Sequence, residues 1–150
     1  MKLEYKLNSI IFSLTLLFAY TGFSKLLSLK QFQYELSEIQ ILRPFAPILV
    51  ICLPILELII VMGLVLPIPR IKHYTLLLSF LLMSIFTAYV AWILFSIPIG
   101  HRPCSCGGVI GALSWKNHLY FNIFFMLLSF FGLTLNQKII KSNERTILPF

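Results

Sequence analysis

Four long apolar runs dominate the chain, and short polar breaks separate them. The runs cover residues 9–29, 44–69, 74–99 and 119–135. Only Lys25 in the first run and Glu57 in the second interrupt them with a charge. Each run is close to the ~20 residues that cross ~30 Å of hydrocarbon. Because a bilayer core offers no water to the backbone, such runs form helices rather than strands. The pattern predicts one all-α domain over residues 1–150, an integral membrane bundle of four transmembrane helices.

The break after the first run has a helical pattern of its own. Within residues 30–43, apolar side chains recur at helical spacing at Phe32, Leu36, Ile39 and Leu42. Polar side chains fill the opposite face at Gln33, Glu35, Glu38 and Gln40. This pattern is typical of a short amphipathic helix lying on a membrane surface. Pro44 then marks the return into the membrane, because the residue before a proline disfavours helix.

The composition excludes an ordinary soluble domain. Hydrophobic residues make up 59% of the chain and charged residues only 11%, whereas soluble domains carry about 25% charged residues. The net charge of +7 is compatible with nucleic-acid binding. However, the basic residues flank the apolar runs, where they anchor helices against lipid headgroups. We therefore expect the lipid bilayer, and not nucleic acid, as a partner.

The distribution of Lys and Arg predicts how the chain lies across the membrane. With four spans, both termini and the second connection share one side. That side carries seven basic residues, namely Lys2, Lys6, Arg70, Lys72, Lys138, Lys141 and Arg145. The other side carries four, namely Lys30, Arg43, Arg102 and Lys116. Since cytoplasmic loops are enriched in Lys and Arg, we expect both termini in the cytoplasm. The third connection, which holds Cys104 and Cys106, then faces outward, where disulfides persist.

Cys104 and Cys106 are the strongest candidates for chemistry. Two residues advance an extended chain by at most ~7 Å, and a disulfide needs Cα atoms roughly 4.4–6.8 Å apart. A turn at Ser105 brings the two cysteines into range, but in a small ring. Strained disulfides are more oxidising and more easily reduced. The pair therefore favours thiol–disulfide exchange over permanent crosslinking and makes the protein a candidate oxidoreductase.

The basic residues near the two cysteines favour thiol–disulfide exchange. His101 and Arg102 favour the thiolate, which is the attacking species. His118 falls in the first turn of the fourth helix, beside the cysteine segment. There it is a candidate proton acceptor for a thiol, and the alternative is an ordinary residue of the membrane interface.

Two other interpretations of the cysteine segment stay open. His101, Cys104, Cys106 and His118 offer soft ligands for Cu(I) or Zn. Their spacing matches no strong zinc pattern, so redox chemistry is preferred and no metal site is assigned. The second alternative is a loop with two free or structural thiols. Cys52 lies in an apolar run and is expected to pack as a small hydrophobic residue.

Glu57 is the clearest anomaly within a predicted span. A carboxylate at membrane depth is costly and marks a partnered or functional position. Lys25 is its natural counter-ion, although simple counting from the outer helix ends places the two at different depths. We expect a structural Lys25–Glu57 ion pair. The alternatives are proton transfer or quinone contact by Glu57, and a Lys25 side chain that reaches the interface alone.

The transmembrane signals resemble a known family. Gly-Phe-Ser-Lys-Leu at residues 22–26, with Phe32, is similar to the first-helix signature of MauE and DoxX-like membrane proteins. Glu57 after a Pro-containing apolar run resembles their second-helix glutamate. Residues 104–108, followed by Trp115, His118 and Asn122, resemble the Cys-x-Cys-then-glycine segment of MauE-type members.

The resemblance implies a redox-associated protein of the bacterial inner membrane. MauE-type members are linked to methylamine utilisation, where they serve production of the disulfide-rich small subunit of methylamine dehydrogenase. The family is also distantly similar to four-helix thiol oxidases that pass electrons from periplasmic thiols to a quinone. The implied partner is a periplasmic thioredoxin-like protein or a disulfide-containing client. The present chain differs in having one outer cysteine pair, which leaves a quinone cofactor open. A rival interpretation is a non-catalytic DoxX-like membrane subunit.

Overall fold

The computed structural model of the chain describes residues 2–96 and 114–147, and most of them are helical. Four long helices are α1 (Lys2–Leu27), α3 (Ala46–Val65), α4 (Pro69–Ser96) and α5 (Trp115–Ile147). The short helix α2 (Leu29–Glu38) and a 3-10 turn (Arg43–Phe45) join α1 to α3. The long helices are each long and apolar enough to cross a membrane. The predicted fold class, a four-span bundle with a short helix after the first span, is confirmed.

Prolines set the boundary between α3 and α4 earlier than hydropathy predicted. Leu66 precedes Pro67 and has an extended backbone (φ −59°, ψ 134°), as expected for a residue before proline. Pro69 opens α4, where its missing N–H breaks no helical hydrogen bond. Arg70 and Lys72 therefore lie in the first turns of α4 rather than in a loop.

Helix α5 is longer than the fourth apolar run. The run covers residues 119–135, whereas the helix has 33 residues and extends about 50 Å at 1.5 Å per residue. Polar residues after position 135 end the hydropathy signal, but Gln and Lys are good helix formers. The apolar run thus marked the most hydrophobic part of α5 and not its length.

Helix α2 packs on α3 more than on α1. Its apolar face, with Phe32 and Leu36, is buried against the first turns of α3. The helix stops before the predicted residue 43 because Ile39 has an extended backbone. The assignment of Glu35 to the polar face was wrong: it is only 5% exposed. Gln31, one turn earlier, donates a hydrogen bond to its Oε1 (3.0 Å), whereas its Oε2 is buried without a hydrogen-bond partner among the described residues.

The two ends of the bundle are packed differently. We call the end that carries α2 the α2 end, and the end where α1 begins the termini end. Towards the termini end, a Cβ atom on Gly63 would collide with the Thr75 side chain, so α3 and α4 approach closely. Buried Ser79 and Ser129 hydrogen-bond each other between α4 and α5 (2.9 Å). Small side chains give such close approach in membrane bundles. Near the α2 end, a Cβ atom on Gly22 would meet Glu57 only at an ordinary contact distance of 3.4 Å, and this end holds the cavity discussed below.

Candidate functional site

The predicted site residues divide into two groups. His101, Arg102, Cys104 and Cys106 lie outside the described residues. Lys25, Glu57 and His118 are described, and all three line one cavity at the α2 end of the bundle.

The predicted ion pair between Lys25 and Glu57 is present. The Lys25 ammonium donates to Oε1 of Glu57 with an Nζ–Oε1 distance of 2.6 Å. Glu57 is 1% exposed, and the Lys25 side chain is 11% exposed. A buried carboxylate needs such a partner, because an isolated charge in an apolar interior is strongly destabilising.

The offset between α1 and α3 explains how two residues of different apparent depth meet. Lys25 lies in the last turn of α1, whereas Glu57 lies about three turns into α3. The first turns of α3 therefore rise beyond the end of α1. Helix α2 fills the resulting step, with Phe32 against Ala46 and Val50 of α3. Counting from helix ends missed this because it assumed that the ends were level.

Two aromatic rings surround the ammonium group. Nζ of Lys25 lies 5.7 Å from the ring centroid of Phe32 on α2 and 5.9 Å from that of Phe86 on α4. Both distances lie within cation–π range. Helices α1, α2, α3 and α4 thus meet at this one charged group.

His118 joins the same region from the start of α5. Ser114 precedes the helix, and its hydroxyl lies 3.4 Å from the Asn117 backbone N–H, the position of an N-cap. The His118 ring stacks on Trp115 with 6.2 Å between centroids and 17° between planes. His118 is half-buried and lines the same cavity as Lys25 and Glu57. The structure therefore brings the predicted histidine next to the predicted ion pair.

The cavity has a volume of about 430 Å³ and mostly apolar walls. Its ionisable or hydrogen-bonding side chains are Thr21, Lys25, Glu57, Tyr89, Trp115, His118 and Asn122. Thr21 and Tyr89 were missed by the sequence analysis. The position of Thr21 one turn before Lys25 is a signal that it shares the lysine's face. Tyr89 had no such signal, since it lies in an uncharged run.

Cys52 differs from its predicted role. It lies on α3 with an exposed, free thiol, so it does not pack in the core. Its helix face points away from the bundle, towards the expected lipid.

Metal ligation finds no support in the described part of the chain. Within residues 2–96 and 114–147, His, Cys, Asp and Glu form no group of three or more that could hold a metal ion. The cysteine segment lies outside those residues.

Comparison with known proteins identifies one family. The family model described as "Methylamine utilisation protein MauE" matches residues 3–135. The match includes α1 to α4, the segment between α4 and α5, and the first two-thirds of α5. No curated protein and no solved structure matches the chain.

Proposed function

The chain belongs to the MauE family of membrane proteins, and from this premise we propose that it exchanges disulfides through Cys104 and Cys106. The partner is a thioredoxin-like protein or a disulfide-containing client outside the cytoplasm. The observation that carries the proposal is the position of the cavity and of its few charged side chains. Lys25, Glu57 and His118 line it at the end of the bundle from which the cysteine segment departs.

The length of the connection supports contact between the thiols and this region. Cys104 follows Ser96, the last residue of α4, by about eight residues, and Cys106 precedes Ser114 by the same number. Such a segment spans at most about 28 Å when extended. Trp115 and His118, in the first turn of α5, lie on the cavity wall. A connection of this length permits a thiol to reach the His118 imidazole, which then serves as its proton acceptor.

The exchange proceeds through a mixed disulfide. One thiolate, from Cys104 or Cys106, attacks a sulfur of the partner's disulfide and releases the partner's other sulfur as a thiolate, which takes up a proton. The second cysteine then attacks the mixed disulfide. The partner leaves as a dithiol, and the chain holds a Cys104–Cys106 disulfide. Two electrons pass to the partner, and the reverse sequence oxidises a dithiol client. His101 and Arg102 favour the attacking thiolate.

The charge distribution supports the location. Seven Lys and Arg residues belong to the side of the two termini and four to the other side, so the positive-inside rule favours cytoplasmic termini. In a bacterial inner membrane the cysteine segment then meets the oxidising periplasm.

Trapping of the mixed disulfide tests the proposal. Cys104→Ala or Cys106→Ala removes the resolving thiol, so one of these variants accumulates a covalent complex on a non-reducing gel that disappears with reductant. Cys52→Ala is the matched control, because it removes a thiol on the outer surface of α3 and keeps the pair. The proposal is overturned when neither variant traps a partner and both thiols are reduced in native membranes. Full function after double replacement by serine supports instead the non-catalytic subunit.

A further inference from the structure

We propose that the cavity at the α2 end binds an uncharged, lipid-soluble molecule with a planar, carbonyl-bearing head, the chemistry of a quinone. The head accepts a hydrogen bond from Lys25, and the apolar body lies against the cavity walls. The inference rests on the geometry of the described residues and does not depend on thiol exchange by the cysteine segment.

The donor capacity of Lys25 points to an accepting group. An ammonium carries three N–H donors and no acceptor. Glu57 Oε1 accepts one of these donors and is the one hydrogen-bond acceptor that the described residues provide. With respect to residues 2–96 and 114–147, the ammonium therefore has donors left at the cavity wall. A ligand carbonyl satisfies one of them within walls that are mostly apolar.

The charge balance favours a neutral ligand. Lys25 and Glu57 neutralise each other at 2.6 Å. A charged ligand would bring a further ion into a cavity whose walls are mostly apolar, and an unpaired charge there is strongly unfavourable.

The walls favour a planar head and an apolar body. The rings of Phe32 and Phe86 stand beside the ammonium, and Trp115 adds a third aromatic surface to the lining. Aromatic faces suit stacking with a flat conjugated group. The volume of about 430 Å³ lies in the range of about 300–1,000 Å³ typical of small-molecule sites.

The route of entry suits a membrane-soluble ligand. Ile85 lines the cavity, is 64% exposed, and belongs to α4, which is long and apolar enough to span the membrane. The cavity thus reaches the surface that faces lipid. A hydrophobic molecule can enter from the bilayer without crossing water.

Tryptophan fluorescence measures binding directly. The chain has two tryptophans, and Trp92→Phe leaves Trp115 as a reporter on the cavity wall. In phospholipid nanodiscs, decylubiquinone is expected to quench Trp115 with a saturable dependence on concentration. Quenching that rises linearly without saturation reflects simple partition into lipid and overturns the proposal.

Paired variants test the site. In the same background, Val90→Phe fills the buried wall of the cavity, whereas Val65→Phe makes the same change at an exposed position of α3. We expect Val90→Phe to weaken saturable quenching at least about tenfold and Val65→Phe to leave it unchanged. Equal affinities in the two variants place the quinone elsewhere and overturn the proposal.

The polar head is tested separately from the apolar body. Replacing Lys25 by Met together with Glu57 by Leu removes both charges, so no lone buried ion is left. Lys30→Met, on the exposed side of α2, is the control. We expect at least about tenfold weaker binding for the double variant and none of this loss for the control. Unchanged affinity in the folded double variant refutes recognition by Lys25.

A competitor tests the carbonyl. n-Decylbenzene keeps a ring and tail but lacks an acceptor, and we expect it to displace decylubiquinone at least about tenfold more poorly. Equal competition shows an unselective apolar groove and overturns the proposal. Binding is repeated with Cys104 and Cys106 both replaced by serine. Retained binding with no trapped partner in the single-cysteine variants then rejects the exchange proposal alone, and the converse result rejects the cavity ligand alone.

Discussion

Replacing Lys25 with methionine is expected to destabilise the bundle more than replacing Glu57 with leucine. Loss of Lys25 leaves a carboxylate that is 1% exposed and about three turns from the start of α3. Removing one partner of a buried pair in this way costs about 3–5 kcal/mol. Loss of Glu57 leaves a lysine in the last turn of α1, whose long side chain can turn towards the interface. That variant should lose less, about 1.5–3 kcal/mol, in the range of a lost hydrogen bond to a charged group.

The double replacement separates charge from packing. Without either charge, the free energy of unfolding should return to within about 1 kcal/mol of the starting protein, because apolar replacements of buried pairs are often neutral or stabilising. The measurement is the free energy of unfolding in mixed micelles titrated with a denaturing detergent. Lys30→Met on α2 controls for the loss of a lysine.

The relative losses of unfolding free energy in the three variants test this reasoning. Equal losses for the two single variants contradict the argument from depth. Additive losses in the double variant mean that the 2.6 Å contact carries no coupling energy, which refutes the pair as a stabilising unit.

Further predictions concern packing and topology. Gly63→Ala should cost about 1–3 kcal/mol of unfolding free energy through overpacking, because its Cβ meets the Thr75 side chain; adding Thr75→Ala should restore much of it, and the same detergent titration detects both effects. Cys104 and Cys106, once reduced, should react with a membrane-impermeant maleimide added outside intact cells, and reaction only after lysis refutes the predicted orientation. Exposed Cys52 on α3 should react with a lipid-soluble maleimide and resist the impermeant one, and mass spectrometry of labelled peptides distinguishes these outcomes.

Hydropathy was sufficient for the fold class but not for the helix ends. Four apolar runs of membrane length leave a helical bundle as the available solution. The ends depend on local backbone chemistry instead. Leu66 leaves the helix because a proline follows, and α5 continues beyond residue 135 because its polar residues remain good helix formers. A hydropathy scale includes neither the effect of a following proline nor the helix propensity of polar residues.

The candidate site was predictable only where the polarity of a residue conflicted with that of its neighbours in the sequence. A charge in an apolar run is such a conflict, so Lys25 and Glu57 were recognisable and their pairing was correctly predicted. Glu35 lies in a polar segment, where nothing marks a carboxylate for burial, and its position was wrong. Tyr89 lines the cavity because of how several helices pack together, which the residue pattern of one span does not determine.

Because the bundle is packed unequally along its length, its two halves differ in what they offer to the lipid leaflet that surrounds each of them. Close contacts at Gly63 and Ser79 fill the half near the termini, whereas the cavity occupies the half near α2. A hydrophobic molecule dissolved in the leaflet beside α2 can reach the site by lateral diffusion. A molecule in the opposite leaflet must first cross the bilayer midplane. The rate at which the site fills therefore depends on transbilayer movement of its ligand as well as on its affinity.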